Sequence, residues 1–471
     1  MLFNSFHYLL FLLFVIFIVE ALRRRNGQHL VLLLASYYFY WTSSASLVLL
    51  LLYSSYLDFF CGRAIHRAQN PRQKRMYLCF SLIGNLGVLA YFKYTNFALG
   101  SFRALFNAIG WKSRLGPLEI CLPIGISFYT FQSMSYSLDI YFGKLLPVSS
   151  LRQFALYVSF FPQLVAGPIV RARQFLPQLL NPVVIHWENL KLGLTLILYG
   201  LIKKVCIADN LSAFVQSIFG GELTSDSLLV FVGAVAFAIQ IYCDFSGYSD
   251  IAIGSARILG FKFPNNFAHP YFASSISEFW KRWHISLSTW LRDYLYIPLG
   301  GNQKGKGRQL LNLMVTMLLG GLWHGAAWHF VLWGLYQGVL LCVHKFVVAD
   351  RRFLAHSWWL PLKVLITFYL TCIGWLIFIT PDLQNLSLYL RKVCFLDFTT
   401  TGVADLIHRQ PFVLFLMGVF FVVHTISYLV DGLSRIFSQL GLALWAAGVF
   451  VCLMILYLLA AGQQSFIYFQ F

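Results

Sequence analysis

One histidine stands out because it lies within a long apolar stretch. Residues 310–346 predict a single membrane span, and near their centre is Gly-Gly-Leu-Trp-His-Gly-Ala-Ala-Trp-His, residues 320–329. An ionisable side chain in such a stretch is a functional hypothesis by default. Because imidazole titrates near neutrality, His324 could take the proton of a hydroxyl that attacks an acyl donor, and the flanking glycines leave room for a substrate. The alternative, weighed equally, is a histidine satisfied by a neighbouring helix.

A second histidine, His329, follows five residues later. On one helix, five residues correspond to a rotation of roughly 140°, so the two imidazoles would point to different faces. We therefore expect no metal shared between them. The nine cysteines are scattered without a Cys-x-x-Cys spacing, and we expect neither a disulfide framework nor a metal site from them.

The second candidate region is residues 279–294, Phe-Trp-Lys-Arg-Trp-His-Ile-Ser-Leu-Ser-Thr-Trp-Leu-Arg-Asp-Tyr. Its apolar residues, Trp283 among them, recur every three or four positions. This spacing predicts one amphipathic helix that lies at the membrane interface or lines a vestibule. His284 and the pair Lys281 and Arg282 could face the reacting groups. A plain amphipathic surface is the alternative.

Two carboxylates mark the third region, Tyr-Cys-Asp-Phe-Ser-Gly-Tyr-Ser-Asp at residues 242–250. They lie within or at the end of the apolar stretch 228–259, where a carboxylate needs a partner. Asp244 and Asp250 could orient a histidine, pair with Arg257, or join helices through hydrogen bonds. The structural role is favoured.

Two other reaction classes are disfavoured. Residues 300–307 approach a phosphate-binding loop, but Gly307 stands where Ser or Thr is required and no strand precedes it. The sequence also contains no Gly-x-Ser-x-Gly elbow. Neither a nucleotide triphosphatase nor direct serine catalysis is expected.

The elements that hold these residues are expected to be membrane helices. Of the 471 residues, 59% are hydrophobic and 11% charged, whereas soluble proteins carry about 25% charged residues. The net charge of +18 is attributed to the cytoplasmic loops of a membrane protein rather than to nucleic-acid binding. We predict an all-α polytopic membrane protein with about 9–12 transmembrane helices plus re-entrant and interfacial helices. Residues 1–471 are predicted to form one membrane-embedded domain.

The order of apolar and basic segments predicts the topology. Residues 2–21 form an apolar run followed by Arg23, Arg24 and Arg25, which fits a retained first span with the N-terminus outside. Residues 30–62 are too short for two complete spans and predict a hairpin of short helices with cytoplasmic ends. Further spans are expected to begin near Met76, Leu190, Leu228, Leu310, Leu362, Phe412 and Leu442.

Two apolar stretches are interrupted by proline and glycine, residues 117–143 and 154–169. Broken backbone at membrane depth persists only against protein or a water-filled cavity. These stretches are therefore candidates for re-entrant segments that line a cavity. Loops at the membrane interface are the alternative.

Together these motifs resemble the membrane-bound O-acyltransferase (MBOAT) family, and within it the bacterial branch of the alginate O-acetyltransferase membrane subunit. The resemblance covers the whole chain and is densest in residues 243–250, 279–301 and 321–325. Phe-Phe-Pro-Gln-Leu-Val-Ala-Gly-Pro at 160–168 and Phe-Ile-Tyr-Phe-Gln-Phe at 466–471 also look like that branch. The resemblance implies the MBOAT fold and an acyltransferase whose signature histidine is His324 and whose other histidine is His284.

The resemblance also implies a reaction and its partners. A cytoplasmic thioester, acetyl-CoA, would give its acetyl group across the bacterial cytoplasmic (inner) membrane for O-acetylation of an exported polysaccharide such as alginate, with no bound cofactor. Besides membrane lipid, the implied partner is a periplasmic lipase-like O-acetyltransferase. Trp283 and Trp323 would exclude the water that hydrolyses the thioester. Arg282, Asp244 and Asp250 are further candidates for lining the site.

Three alternatives stand beside this interpretation. Broken helices and buried charges would serve a transporter or flippase for a polysaccharide precursor equally well. A scaffold that recruits the periplasmic enzyme without doing chemistry is the second alternative. Within the enzyme class, D-alanyl transfer to teichoic acid is the nearest variant.

Overall fold

The fold is entirely helical where it is described. The computed structural model describes residues 1–22, 24–44, 47–111, 116–165, 167–220, 226–348, 356–395, 400–430, 432–460, 462, 464, 466 and 467. Every regular element in these ranges is a helix, which confirms the all-α membrane fold. Seven helices there are long and apolar enough to cross a membrane: Val48–Arg67, Pro71–Ala108, Ser227–Ile258, Trp328–Val348, Leu360–Ile379, Pro411–Leu429 and Leu442–Leu459.

Seven is fewer than the number of spans expected from the sequence. Two further helices of 20 residues, Arg25–Ser44 and Gly305–His324, carry polar residues in their first turns, which lowers their apolar content. The helix Phe6–Ala21 is apolar but has 16 residues, short of the roughly 20 that a span needs. The first span and the outside N-terminus therefore stay predictions.

The chain forms two compact units, of which the first comprises Met1–Gly193 and Ser255–Pro264. Its helices are Phe6–Ala21, Arg25–Ser44, Val48–Arg67, Pro71–Leu89, Thr95–Ala108, Ile126–Tyr141, Leu151–Ser159, Phe161–Leu164 and Ala172–Phe175, with a π-helical turn at Ala90–Tyr94 and a 3-10 turn at Leu176–Leu180. Local sequence sets these bounds: Asn70, for example, accepts a hydrogen bond from the Gln73 N–H at 2.8 Å, and Pro71 takes the first helical position.

The hairpin of short helices predicted for residues 30–62 is wrong in length. The structure has two helices of 20 residues, Arg25–Ser44 and Val48–Arg67. The helices include polar residues at 25–28 and 63–67. The predicted hairpin was too short because its length was counted from apolar residues alone.

The two stretches interrupted by proline and glycine contain buried helices of the first unit, although residues 117–122 before the first of them are not helical and are mostly exposed. Ile126–Tyr141 follows Gly125, where φ is 74° and a Cβ would lie 2.6 Å from the Leu164 carbonyl oxygen. The second stretch contains the end of Leu151–Ser159 and all of Phe161–Leu164, and residues 154–159 and 161–164 are buried. Such burial agrees better with segments held inside protein than with interfacial loops. A cavity-lining role stays a prediction.

A carboxylate that sequence reasoning did not single out joins three helices of the first unit. Asp58 is fully buried and accepts hydrogen bonds from four donors: Ser81, Asn85 (2.8 Å), Ser133 and Ser137 (2.7 Å). A buried carboxylate is tolerated when hydrogen bonds replace its lost hydration. We interpret this cluster as a structural link.

The second unit comprises Leu194–Gly254 and Asn265–Phe471. The helix Trp187–Leu201 ends in it and the helix Ser227–Ile258 begins in it. Its other helices are Asp209–Phe219, Ile276–Arg282, Ile285–Leu291, Gly305–His324, Trp328–Val343, Leu360–Ile379, Leu383–Phe395, Thr400–Arg409, Pro411–Leu429, Leu433–Gln439 and Leu442–Leu459, with π-helical segments at Ile202–Ala208, Arg292–Tyr296 and His344–Val348 and 3-10 turns at Pro270–Phe272 and Ser357–Trp359. A single membrane domain over residues 1–471 stays a prediction.

The single span predicted over residues 310–346 is wrong. The structure divides it into Gly305–His324 and Trp328–Val343, which pack closely against each other. A Cβ on Gly321 would lie 2.2 Å from the Phe330 carbonyl oxygen, and one on Gly334 would lie 2.5 Å from that of Met317. Glycine thus permits backbone contact between the two helices. His324 and His329 belong to different helices, so the rotation of roughly 140° expected along one helix does not relate their imidazoles.

The single amphipathic helix predicted over residues 279–294 is also wrong. Two short helices, Ile276–Arg282 and Ile285–Leu291, flank a break at Trp283 and His284, and a π-helical segment follows. His284 has φ 41° and ψ 55°, the left-handed conformation, which ends regular helical hydrogen bonding. The apolar periodicity persists across the break and therefore hides it.

Candidate active site

His324 is the last residue of its helix and lies in an aromatic enclosure. Its side chain is 5% exposed. The imidazole centroid lies 5.1 Å from the ring of Trp323, 5.0 Å from that of Trp333 and 5.5 Å from that of Phe378. At the next residue, Gly325, a Cβ would lie 2.0 Å from Cε2 of Phe330. Only glycine lets the helix end against that ring.

His284 is fully buried at the other helix break. Its ring lies edge-on to Phe245, with centroids 4.6 Å apart, and 5.8 Å from the indole of Trp323. A non-glycine residue in the left-handed conformation costs roughly 1–3 kcal/mol and persists where its surroundings hold it, often at functional sites. The break thus turns His284 toward an aromatic ring that His324 also contacts.

Asn266 holds the break in place, and sequence reasoning missed it. Its carbonyl oxygen accepts from the Ile285 N–H at 2.9 Å, and its side-chain oxygen accepts from the N–H and hydroxyl of Ser286 at 3.2 and 2.9 Å. The Asn266 amide nitrogen donates to the Ser249 hydroxyl at 3.3 Å. These bonds satisfy N–H groups at the start of a helix and fix the backbone that presents His284.

Electrostatics favour a neutral imidazole at His284. Burial, and then the neighbouring His324, lower the pKa of His284 well below its ordinary value. A neutral imidazole can accept a proton at one ring nitrogen and donate a hydrogen bond from the other. The pair of histidines is therefore suited to move or hold a proton.

Trp283 lies one layer behind the histidines. Its ring stacks on Phe279 at 5.7 Å and lies 4.7 Å from Trp375, which in turn lies 6.2 Å from Trp333. Trp333 is one of the rings that enclose His324. Trp323 contacts both histidines directly, whereas Trp283 supports the wall behind His324.

Arg282 is held by an ion pair on its own helix. It donates to Oε1 of Glu278 from Nε at 2.9 Å and from Nη2 at 2.6 Å, and the two side chains are 23% and 30% exposed. Its guanidinium also lies 5.7 Å from the Tyr428 ring centroid. The structure gives Arg282 these partners, and its role in lining the site stays a prediction.

Asp244 belongs to a buried cluster of three charges. Its Oδ1 lies 2.6 Å from Nζ of Lys204, and the same Nζ lies 2.8 Å from Oδ1 of Asp209. All three side chains are at most 3% exposed. Lys204 and Asp209 were missed from the sequence, although a lysine in an apolar run is itself a signal.

Asp250 has a separate partner, Lys203, with which it forms a close ion pair. Lys203 also donates to the Ser246 hydroxyl at 3.0 Å. The helices that carry these pairs approach closely, since a Cβ on Gly200 would lie 2.5 Å from the Gly247 carbonyl oxygen. Asp250 and Asp244 thus each have a lysine partner from the neighbouring helical segment, which is consistent with the structural role that the sequence favoured.

Metal ligation finds no support in the described ranges. Among those residues, no group of three or more His, Cys, Asp or Glu side chains is placed to hold a metal ion. The site offers two buried histidines, aromatic walls and buried ion pairs.

Comparison with known proteins identifies the family. The sequence model described as "MBOAT, membrane-bound O-acyltransferase family" matches residues 144–380, a range that includes both histidines. The probable alginate O-acetylase AlgI of Pseudomonas aeruginosa is 44% identical over 317 residues, 66% of this chain and 59% of that protein. The peptidoglycan O-acetyltransferase of Helicobacter pylori is 32% identical over 467 residues, 89% of this chain and 86% of that protein.

A more distant relative is the teichoic acid D-alanyltransferase of Bacillus subtilis, 28% identical over 272 residues, 54% of this chain and 68% of that protein. The match spans 59% to 65% of the length of two alginate O-acetylases, those of Pseudomonas aeruginosa and Azotobacter vinelandii. The resemblance carried by the sequence motifs is confirmed. The chain belongs to the membrane-bound O-acyltransferase family.

Proposed function

We propose that this chain is an O-acetyltransferase of the bacterial inner membrane that passes the acetyl group of a cytoplasmic thioester, acetyl-CoA, across the membrane for O-acetylation of an exported polysaccharide. The observation that carries the proposal is the position of His324, a buried imidazole at a helix end enclosed by Trp323, Trp333 and Phe378. An ionisable group in such an apolar enclosure is energetically costly, and such groups are concentrated at functional sites.

The reaction uses His324 as a general base. His324 accepts the proton of the acceptor hydroxyl while the hydroxyl oxygen attacks the thioester carbonyl carbon. The carbon–sulfur bond then breaks, the ester forms, and the imidazolium gives its proton to the departing thiolate. Each turnover leaves His324 unchanged and needs no further reagent. The surrounding rings exclude water, which would otherwise hydrolyse the thioester.

His284 acts beside His324. Its lowered pKa keeps the imidazole neutral, so that it can orient the acceptor hydroxyl or the thioester carbonyl through a hydrogen bond. Its contact with Trp323, which also contacts His324, supports a role in the same step.

The relatives favour acetyl transfer over D-alanyl transfer. Two probable alginate O-acetylases are 44% and 42% identical to this chain, whereas two teichoic acid D-alanyltransferases are 28% and 26% identical. The acceptor class is therefore an exported polysaccharide such as alginate or peptidoglycan. A periplasmic lipase-like O-acetyltransferase is the partner that places the acetyl group on the polysaccharide.

The function can be tested on the polysaccharides of the bacterium that carries the gene. His324→Ala is introduced at the chromosomal locus, with His329→Ala as the matched control, because His329 is also buried and lies on the adjoining helix. Membrane levels of both variants are checked by immunoblot, and glycan-bound acetate is measured by mass spectrometry. A general base contributes about 10²–10⁴-fold, so acetate should fall to background in His324→Ala and stay near wild type in His329→Ala.

The same measurement distinguishes an acyltransferase from a scaffold. If the chain is only a scaffold, its deletion should abolish acetylation, whereas His324→Ala and His284→Ala should both leave acetylation normal. Normal acetylation in a stably inserted His324→Ala protein would contradict the proposed role of His324.

A further inference from the structure

Three residues near the end of the described chain, Gln464, Phe466 and Ile467, which we call the tail residues, are bound inside the second unit. The Ile467 N–H donates to Oδ2 of Asp244 at 2.7 Å, and the Gln464 main chain hydrogen-bonds the Asp209 carboxylate. Phe466 is fully buried. The tail residues are therefore anchored through their main chain as well as through an aromatic side chain.

The anchor is the buried charge cluster described above. Among the residues that the structure describes, the cluster has one basic side chain, Lys204, paired with two acidic ones, Asp209 and Asp244. One lysine cannot balance two carboxylates. Buried carboxylates need further hydrogen-bond donors when their ion pairs do not balance. The main-chain N–H groups of the tail supply such donors, and the cluster is suited to bind them whatever side chains they carry.

Phe466 connects this anchor to the candidate active site. Its ring lies 4.2 Å from that of Tyr248 and 5.7 Å from that of Phe245. Phe245 in turn lies edge-on to His284 at 4.6 Å. The ring of Phe245 thus contacts both the tail and the imidazole, and movement of Phe466 would free a side chain that holds His284.

We infer that the tail residues are a positioning element of the acyltransferase site: the cluster of Asp209, Lys204 and Asp244 binds their main chain, and Phe466 fixes Phe245 against His284. This inference rests on the proposed function. It makes Phe466 a positioning residue that acts through Phe245, and it gives the buried charges a role beyond joining helices.

The test measures the reactivity of His284 directly. Purified full-length protein in lipid nanodiscs is treated with diethyl pyrocarbonate, and ethoxyformylation of each histidine is followed by peptide mass spectrometry. Variants are Phe466→Ala, Phe466→Leu and Asp244→Asn. The matched control is Phe214→Ala, which removes another buried phenylalanine of the same unit.

We expect His284 to be modified at least fivefold faster in Phe466→Ala and Asp244→Asn than in wild type, with Phe466→Leu in between. In Phe214→Ala the rate should match wild type. Turnover of acetyl-CoA should show a lower kcat with an unchanged KM in Phe466→Ala. A loosened His284 impairs acetyl transfer but does not impair binding of the donor. A merely structural role for the tail would change all histidines alike.

The outcomes distinguish the two proposals. If Phe466→Ala and Phe466→Leu fold and leave the His284 rate at the wild-type value, the positioning inference is overturned while the proposed function stands. If His324→Ala retains full acetyl transfer, the proposed function fails, yet faster modification of His284 in Phe466→Ala would still show that the tail restrains the imidazole.

Discussion

His284 and His324 contact the same indole, that of Trp323, with ring centroids 5.8 and 5.1 Å away from it. Each histidine is presented by a helix break: His284 by a left-handed residue before Ile285–Leu291, and His324 by the end of Gly305–His324. Substitutions that disturb these breaks should therefore affect acetyl transfer more than substitutions at other buried positions.

Gly325→Ala should damage the site through packing. The added Cβ would lie 2.0 Å from the ring of Phe330, which contacts Phe378 at 4.9 Å, a neighbour of His324. Overpacking of this kind costs about 1–3 kcal/mol. We expect a lower thermal midpoint. Displacement of Phe330 and Phe378 against His324 should also lower acetyl transfer at least about tenfold, which corresponds to about 1.4 kcal/mol in the barrier. Gly307→Ala, in the first turn of the helix that ends at His324, faces open space and is the control; equal activity of the two variants would contradict the packing argument.

Substitutions at His284 should separate folding from chemistry. Asparagine tolerates the left-handed conformation, whereas a β-branched residue there is strained by roughly 1–2 kcal/mol. We expect His284→Asn to insert and fold but to lose most acetyl transfer, and His284→Val to lose stability as well. The comparison uses the thermal midpoint in nanodiscs together with glycan acetate. An active His284→Asn protein would remove His284 from the proposed site.

Stability should decline with acidification, in part through His284. Its pKa is lowered in the folded protein by burial and by His324, whereas an unfolded imidazole titrates near about 6.5. Below that pH the unfolded chain binds a proton that the folded chain does not, so stability falls as pH falls. The decrease in thermal midpoint between about pH 7.5 and 5.5 should be smaller in His284→Asn than in wild type. An equal or larger decrease would show that His284 is not held neutral.

Lys204→Met should be strongly destabilising because it leaves Asp209 and Asp244 buried without their shared cation. Removing one partner of a buried pair costs about 3–5 kcal/mol. The double variant Lys204→Met with Asp244→Asn should recover part of that loss. Arg292→Met is the control, since its pair with Asp293 is exposed on the arginine side and such pairs contribute about 0–1 kcal/mol. Similar thermal midpoints for Lys204→Met and Arg292→Met would refute a buried network.

The sequence predicted the class of protein, because composition is a property of the whole chain. It also drew attention to His324 as a histidine in an apolar run, and the structure buries that side chain; its role in catalysis stays a prediction. The sequence did not predict the helix breaks. Residues 325–327 are Gly-Ala-Ala, which an apolar pattern cannot distinguish from a continuing helix, and no proline marks the position. The break at His284 is likewise held by Asn266, a contact that no local pattern contains.

The partners of the carboxylates were only partly predictable. Lys203 and Lys204 stand in an apolar run and could have been recognised by the rule that drew attention to Asp244 and Asp250. Their pairing depends on the close approach of helices at Gly200 and Gly247, which is a property of the tertiary fold.

The central claim is that His324 serves acetyl transfer across the membrane, and inside-out membrane vesicles of the bacterium test it most directly. Acetyl-CoA labelled in the acetyl group is added outside, where the cytoplasmic face is exposed, and alkali-labile label on enclosed polysaccharide is counted. Wild type and His329→Ala should accumulate label at similar rates, and His324→Ala should remain at background at equal protein level. Label transferred at the wild-type rate by His324→Ala would contradict the account.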